Sequence, residues 1–130
     1  AAVIPIFINR MKKKIPVIIN GGFQTRDFIY VQDVVDIMLI LMKKIKKKKT
    51  CQTFNFGTGR SVKIDFLFEL IKKKLKANPK IIKHKLDKFD PKKSSGTYKK
   101  IFRYLNLKKY NFTKLEKGID KTISLNKLNN

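Results

Sequence analysis

Apolar residues along this chain recur at the spacing of a helix in some stretches and run together as short extended pieces in others. Ile4, Phe7, Ile8 and Met11 fall at i, i+3, i+4 and i+7, which predicts a helix over 3–14 with one core-facing stripe. Pro5 sits in its first turn, where a missing N–H costs nothing, and Lys12 to Lys14 suit its carboxyl end. Ile15 to Ile19 reads as a short apolar strand, and Asn20-Gly21-Gly22 as a turn that tolerates positive φ. Phe28 to Val31 reads as a second extended piece. Asp33 is then expected to cap a helix from Val34 to about Ile45. That helix is apolar nearly all round, so burial on more than one side is expected.

Downstream the alternation continues. Thr53 to Phe56 reads as a strand leading into Gly57-Thr58-Gly59. Ile64, Leu67, Phe68, Ile71 and Leu75 share one face of a helix over 64–76, which Asn78-Pro79 stops. Lys80 to Leu86 reads as a weak edge strand. Asp90-Pro91 makes a turn, and Ser94 to Thr97 opens a helix over 98–107. Thr113-Lys114-Leu115-Glu116 has capping-box spacing and opens a last helix, with Leu115, Ile119, Ile123 and Leu128 on one side. The expected architecture is α/β, one domain over 1–130, with a small sheet and about five helices.

Charge changes this picture less than its size suggests. The formal net charge is +23, an electrostatic footprint that could serve nucleic acid or an anionic surface. Yet only Arg10, Arg26, Arg60 and Arg103 are arginines among the 32 basic residues. Base and phosphate readout draws on arginine forks, so composition bias accounts for the lysines better than specific nucleic-acid binding does. The Lys12–Lys14, Lys46–Lys49 and Lys72–Lys74 runs all sit at expected helix carboxyl ends, where solvated cations match the dipole. Cys51 is the single cysteine, which excludes an internal disulfide and fits a reducing, cytoplasmic setting. His84 stands alone and builds no metal site. No apolar run is long enough to span a bilayer.

The candidate chemistry lies in Gly21-Gly22-Phe23-Gln24-Thr25-Arg26-Asp27-Phe28-Ile29-Tyr30-Val31-Gln32-Asp33-Val34-Val35 and in Phe54-Asn55-Phe56-Gly57-Thr58-Gly59-Arg60-Ser61. An arginine beside a glycine turn, just ahead of an apolar helix, is well built to hold a phosphate bidentately. Pairing of Arg26 with Asp27 or Asp33 is the structural alternative. The Gly57-Thr58-Gly59 turn invites a phosphate-loop reading, but a purely structural turn is favoured over it. No glycine-rich dinucleotide fingerprint follows any strand, and Tyr104 with Lys108 does not make a convincing catalytic pair.

Together these two stretches resemble the carboxyl-terminal half of the extended short-chain dehydrogenase/reductases, the NAD-dependent sugar-nucleotide epimerases and dehydratases. The resemblance implies the substrate-binding portion of a Rossmann-type fold, with the amino-terminal dinucleotide-binding portion expected to be missing. It implies that Arg26 reaches the diphosphate of an NDP-sugar, a UDP-sugar first of all. It lays the backbone of Val17, Ile18 and Ile19 against the nucleobase and puts Phe28 beside the nucleotide. The family's Arg-Pro-Gly-Asp motif falls on 87–90, so Asp90 inherits the contact to ribose hydroxyls. Asp87 stands where the family has its second phosphate-clamping arginine, and Lys88 or Lys85 is the expected substitute.

By the same resemblance, the parent enzyme uses NAD, held outside this chain, and this piece alone is inactive. The expected partners are the nucleotide-sugar and the amino-terminal Rossmann half, with neither membrane nor specific nucleic acid. A parent homodimer would pair through that other half. The alternatives are a basic nucleic-acid-binding module and a degenerate, non-catalytic fragment.

Overall fold

A computed structural model describes residues 2–45 and 51–125. Lys46–Lys49 and Leu128, both singled out above, lie outside the described residues. The elements run α1 (Val3–Lys12), β1 (Val17–Asn20), β2 (Thr25–Asp27), α2 (Val31–Lys44), β3 (Ser61–Lys63), α3 (Ile64–Leu75), β4 (Ile81–His84), α4 (Lys99–Leu105) and α5 (Leu115–Leu125). The expected α/β architecture with a small sheet and five helices is present. The sheet is divided into a parallel pair, β1 with β4, and an antiparallel pair, β2 with β3.

The predicted helical stripes form the main core. Phe7, Ile8 and Met11 of α1, Val17 and Ile19 of β1, Ile64, Leu67, Phe68 and Ile71 of α3, and Ile119 of α5 pack into one buried cluster. Phe7 meets Phe68 edge to face at 5.7 Å between ring centres. In β1 the burial alternates as a strand requires, so Ile18 points outward while Val17 and Ile19 point in. A second cluster gathers Ile37 of α2 with Ile101, Phe102 and Leu105 of α4. Around it sits a ring set from Tyr98, Tyr110 and Phe112, with Tyr98 and Phe102 centred 4.6 Å apart.

Four expectations need correction. The second extended piece is Thr25–Asp27 rather than Phe28–Val31, because its partner Ser61–Lys63 sets the register at Arg26 opposite Val62. Strand pairing, a tertiary fact, decided the boundary. Helix α2 begins at Val31 with Tyr30 as N-cap, so Asp33 lies inside the first turn and does not cap. Thr53–Phe56 forms no strand: residues 51–58 find no hydrogen-bonded neighbour strand among the described residues. Helix α2 is not buried on more than one side, since only Asp33 and Ile37 are buried along it.

Its remaining face exposes Val31 (65%), Met38, Leu39 and Met42 (67%) to solvent. That is an unusual density of bare apolar side chains for one helix.

Asp33 has a different task. It is 4% exposed, and its carboxylate accepts the Thr113 N–H and the Thr113 hydroxyl, both at 2.9 Å, and the Tyr110 hydroxyl at 3.2 Å. Thr113 therefore spends both donors on Asp33, and the capping box expected with Glu116 gives way to this cross-link. A buried carboxylate must find donors. Here they come from 77 and 80 residues away, tying α2 to the segment that leads into α5.

Candidate functional site

Parallel strands β1 and β4 end together, with Asn20 beside His84, and the chain turns away from both at the same place. Beyond the carboxyl ends of parallel strands is where α/β proteins hold ligands. After β1 the chain turns through Gly21 and Gly22, both at positive φ (71° and 106°). A Cβ at Gly22 would meet the Asp65 carboxylate at 2.2 Å, so only glycine closes this turn. Gln24 braces it from within: its side-chain oxygen accepts the Gly22 N–H at 2.6 Å, and its amide donates to the Asn20 carbonyl at 2.7 Å. After β4, residues 84–92 fold alongside. Between the two lies a groove of about 530 Å³ whose walls include Phe23, Lys88, Phe89 and Asp90.

Arg26, on β2, reaches the far end of this loop. Its Nη2 donates to the Asp90 carboxylate. Its Nη1 donates to the Pro91 carbonyl at 2.7 Å and to the Thr25 carbonyl at 2.9 Å. Neither Asp27 nor Asp33 is its partner, so the structural alternative drawn from the sequence does not hold. These bonds use both Nη1 hydrogens and one of Nη2. Nε–H and the second Nη2–H carry no partner among the described residues, which leaves two donors for an anion. The side chain is 23% exposed, enough to be reached and little enough to be oriented.

Asp27, the next residue, explains the Gly57-Thr58-Gly59 turn. Its carboxylate accepts the Thr58 hydroxyl, the Gly59 N–H at 2.9 Å and the Gly96 N–H at 3.2 Å. The anion seat of that turn is thus filled by the protein's own carboxylate, which repels a phosphate. Gly57 and Gly96 pass so closely that a Cβ on the first would lie 2.5 Å from the second's Cα. The turn is structural. It leads into β3 rather than directly into a helix, unlike a phosphate-binding loop.

The remaining sequence candidates are dispersed. Lys88 and Asp90 line the groove together, and the Lys88 ammonium lies 4.9 Å from the centre of the Phe89 ring. Val17 and Ile19 are core, while Ile18 turns its side chain outward. The backbone of β1 pairs along β4, with the Val17 N–H on Lys80 O at 2.8 Å and the Gly21 N–H on His84 O at 2.9 Å. Phe28 packs against the main core and lines two other cavities, away from the groove. Asp87, at the position of the family's second phosphate-clamping arginine, turns back and accepts the Phe89 N–H at 2.8 Å.

Sequence reasoning missed Asp27, Phe23 and Phe89. The first carried a signal in its place beside Arg26; the two phenylalanines look in sequence like ordinary core residues. The described residues hold no group of acidic, His or Cys side chains suited to a metal, and no helix long and apolar enough to cross a membrane.

Residues 1–57 match the family described as NAD dependent epimerase/dehydratase. A putative UDP-glucose 4-epimerase of Methanocaldococcus jannaschii is 40% identical over 73 residues, 55% of this chain and 22% of that protein. The dTDP-4-dehydro-6-deoxyglucose reductase of Escherichia coli is 36% identical over 74 residues, covering 56% of this chain and 22% of its own length. In three dimensions, 99% of the chain superposes on 40% of the UDP-glucose 4-epimerase of Thermotoga maritima, solved with UDP-glucose, at TM-score 0.84 and 32% identity. The chain thus spans well under half the length of the relatives it matches. Sequence and fold alike are similar to the NAD dependent epimerase/dehydratase family, whose model matches residues 1–57.

Proposed function

We propose that this chain is the nucleotide-sugar-binding portion of an NAD-dependent epimerase or dehydratase, and that Arg26 holds the diphosphate of the substrate. One observation carries the reading: Arg26 is anchored through three protein acceptors, two of them on Pro91 and Asp90 of the groove wall, yet two of its donors have no partner among the described residues. A guanidinium fixed on one side and open on the other is preorganised for an oxyanion, so little side-chain entropy remains to be lost on binding. Asp90, held against it, is placed for ribose hydroxyls, and Lys88 supplies a point charge in place of the arginine that Asp87 replaces.

Arg60 does not share this site. It lines a separate cavity with Phe28 and Phe112.

Hydride transfer belongs to an amino-terminal Rossmann half that carries NAD and the catalytic groups. The role of this portion is to bind the substrate far from the reacting carbon. Such remote contacts orient the sugar and can raise turnover as well as affinity. On this reading the piece alone is inactive. A UDP-sugar is the expected ligand.

Titration calorimetry with UDP tests the reading. Arg26→Ala is expected to weaken binding about tenfold to a hundredfold, the value of charge-assisted hydrogen bonds. Arg26→Lys should recover only part of it, because an ammonium lacks the planar fork. Unchanged UDP affinity in folded Arg26→Ala would remove the proposal. Binding that ignores UDP but captures single-stranded DNA and vanishes with salt would point to the basic-module alternative.

A further inference from the structure

Phe89 is 83% exposed and Phe23 is 52% exposed, and both line the same groove. A scattered exposed phenylalanine calls for no explanation, but two lining one cavity do. One wall is the glycine turn after β1; the other is the loop after β4. We propose that Phe23 and Phe89 clamp the flat ring of a nucleoside diphosphate by stacking, and that this chain therefore discriminates weakly among nucleobases. The proposal rests on the diphosphate reading above and names the residues that would hold the ring.

The backbone around Phe89 is fixed on both sides. Asp87 accepts the Phe89 N–H through its carboxylate at 2.8 Å, and its carbonyl accepts the Asp90 N–H at 3.1 Å. Arg26 then grips Asp90 and the Pro91 carbonyl, the residues that follow the ring in sequence. The phenylalanine is presented by a braced turn, not left on a loose tip. The residue at 87 that costs a phosphate clamp is the same residue that shapes the seat of Phe89. One guanidinium thereby links the charge site to the ring site.

The charge of the walls suits the same ligand. Lys85, Lys88 and Lys92 line the groove with Asp87 and Asp90, and both carboxylates are engaged, Asp87 by the Phe89 N–H and Asp90 by Arg26. What remains is cationic surface beside aromatic surface, which fits a planar anion. The His84 imidazole lines the groove beside these charged side chains, and among the described residues no side-chain amide or hydroxyl does. Reading a base requires donors and acceptors aimed at its edge, whereas stacking is available to every base.

Calorimetry on the full chain with UDP, GDP and inorganic pyrophosphate separates the parts. Phe89→Ala should weaken UDP and GDP binding about tenfold each, in keeping with base–aromatic stacking, and Phe23→Ala should act in the same direction. Phe89→Trp should restore affinity. Pyrophosphate binding should be untouched by either alanine and lost in Arg26→Ala. Because both rings are largely solvent-exposed, thermal unfolding of the variants should match the parent. If both alanine variants keep parental UDP affinity while Arg26→Ala loses pyrophosphate, the clamp is wrong and the diphosphate reading survives. If UDP binds at least a hundredfold more tightly than GDP in the parent, the weak discrimination is wrong. If pyrophosphate and UDP binding ignore Arg26→Ala, both proposals fall.

Discussion

The two hydrophobic clusters of this chain are built from similar residues and end in different states. The first, from α1, β1, α3 and α5, closes on itself: Ile8, Val17, Leu67, Phe68, Ile71 and Ile119 are all essentially inaccessible. The second, from α2 and α4, buries one side of α2 and leaves the other bare. The extended run at 51–58 beside it finds no strand partner among the described residues. A finished core and an unfinished layer thus sit in one short chain. The difference teaches that apolar periodicity reports a demand for burial but does not say which chain will meet it.

The largest test of this contrast is in the finished cluster. Phe68→Ala should cost about 3–5 kcal/mol, since the ring is buried and the surrounding helices cannot collapse onto the void. Urea unfolding would read it. A loss near zero would mean that this cluster is as open as the other.

Next comes the cross-link that fastens the second cluster to the rest. Asp33→Ala leaves the Thr113 and Tyr110 donors without their acceptor in a buried place, at a cost of about 1–3 kcal/mol. Proteolysis should then cut first near residues 107–114. Cleavage elsewhere, with stability unchanged, would deny Asp33 this role.

Tyr110 offers a pH test of the same joint. Burial first, then the Asp33 charge and the hydrogen bonds to Asp36 and Asp33, push its hydroxyl well above the ordinary 10.0. The unfolded chain gives up this proton from about pH 10 while the folded chain keeps it. Above that pH the folded state binds more protons, so stability present below pH 10 is lost as pH rises. Thermal midpoints of the parent should fall more steeply above pH 10 than those of Tyr110→Phe. Parallel curves would dismiss the coupling.

The smallest effect on stability belongs to the bare face of α2. Replacing Met38 and Met42 with Gln should change stability by about 0.5 kcal/mol or less, because both are already in water. ANS fluorescence should nevertheless drop, and solubility should rise. An ANS-silent, monodisperse parent would show that the face is covered in solution.

Much of the fold was legible because its signals are local. The stripe Phe7, Ile8, Met11, the stripe Ile64 to Ile71 and the turn at Gly21-Gly22 each follow from side-chain spacing or backbone freedom within a few residues. The site was legible in part. Asp90 and Lys88 line one groove and Arg26 pairs with Asp90, whereas Phe28, Val17 and Ile19 pack in the core. The errors have a common cause. Strand β2 was misplaced because Ser61–Lys63 fixes it, and Asp33 was misassigned because Thr113 and Tyr110 claim it.

By itself, the sequence determined where helices and turns form, which faces seek burial, and that one arginine beside a glycine turn carries the candidate chemistry. Only the tertiary structure decided how each polar group is satisfied. It gave Arg26 to Asp90, Asp27 to the Gly59 turn and Asp33 to Thr113, and it turned Phe23 and Phe89 from apparent core into groove walls. The reason is one of range. Periodicity and backbone preference act over a few residues, whereas a buried carboxylate or an exposed ring is defined by neighbours many positions away, which no local pattern encodes.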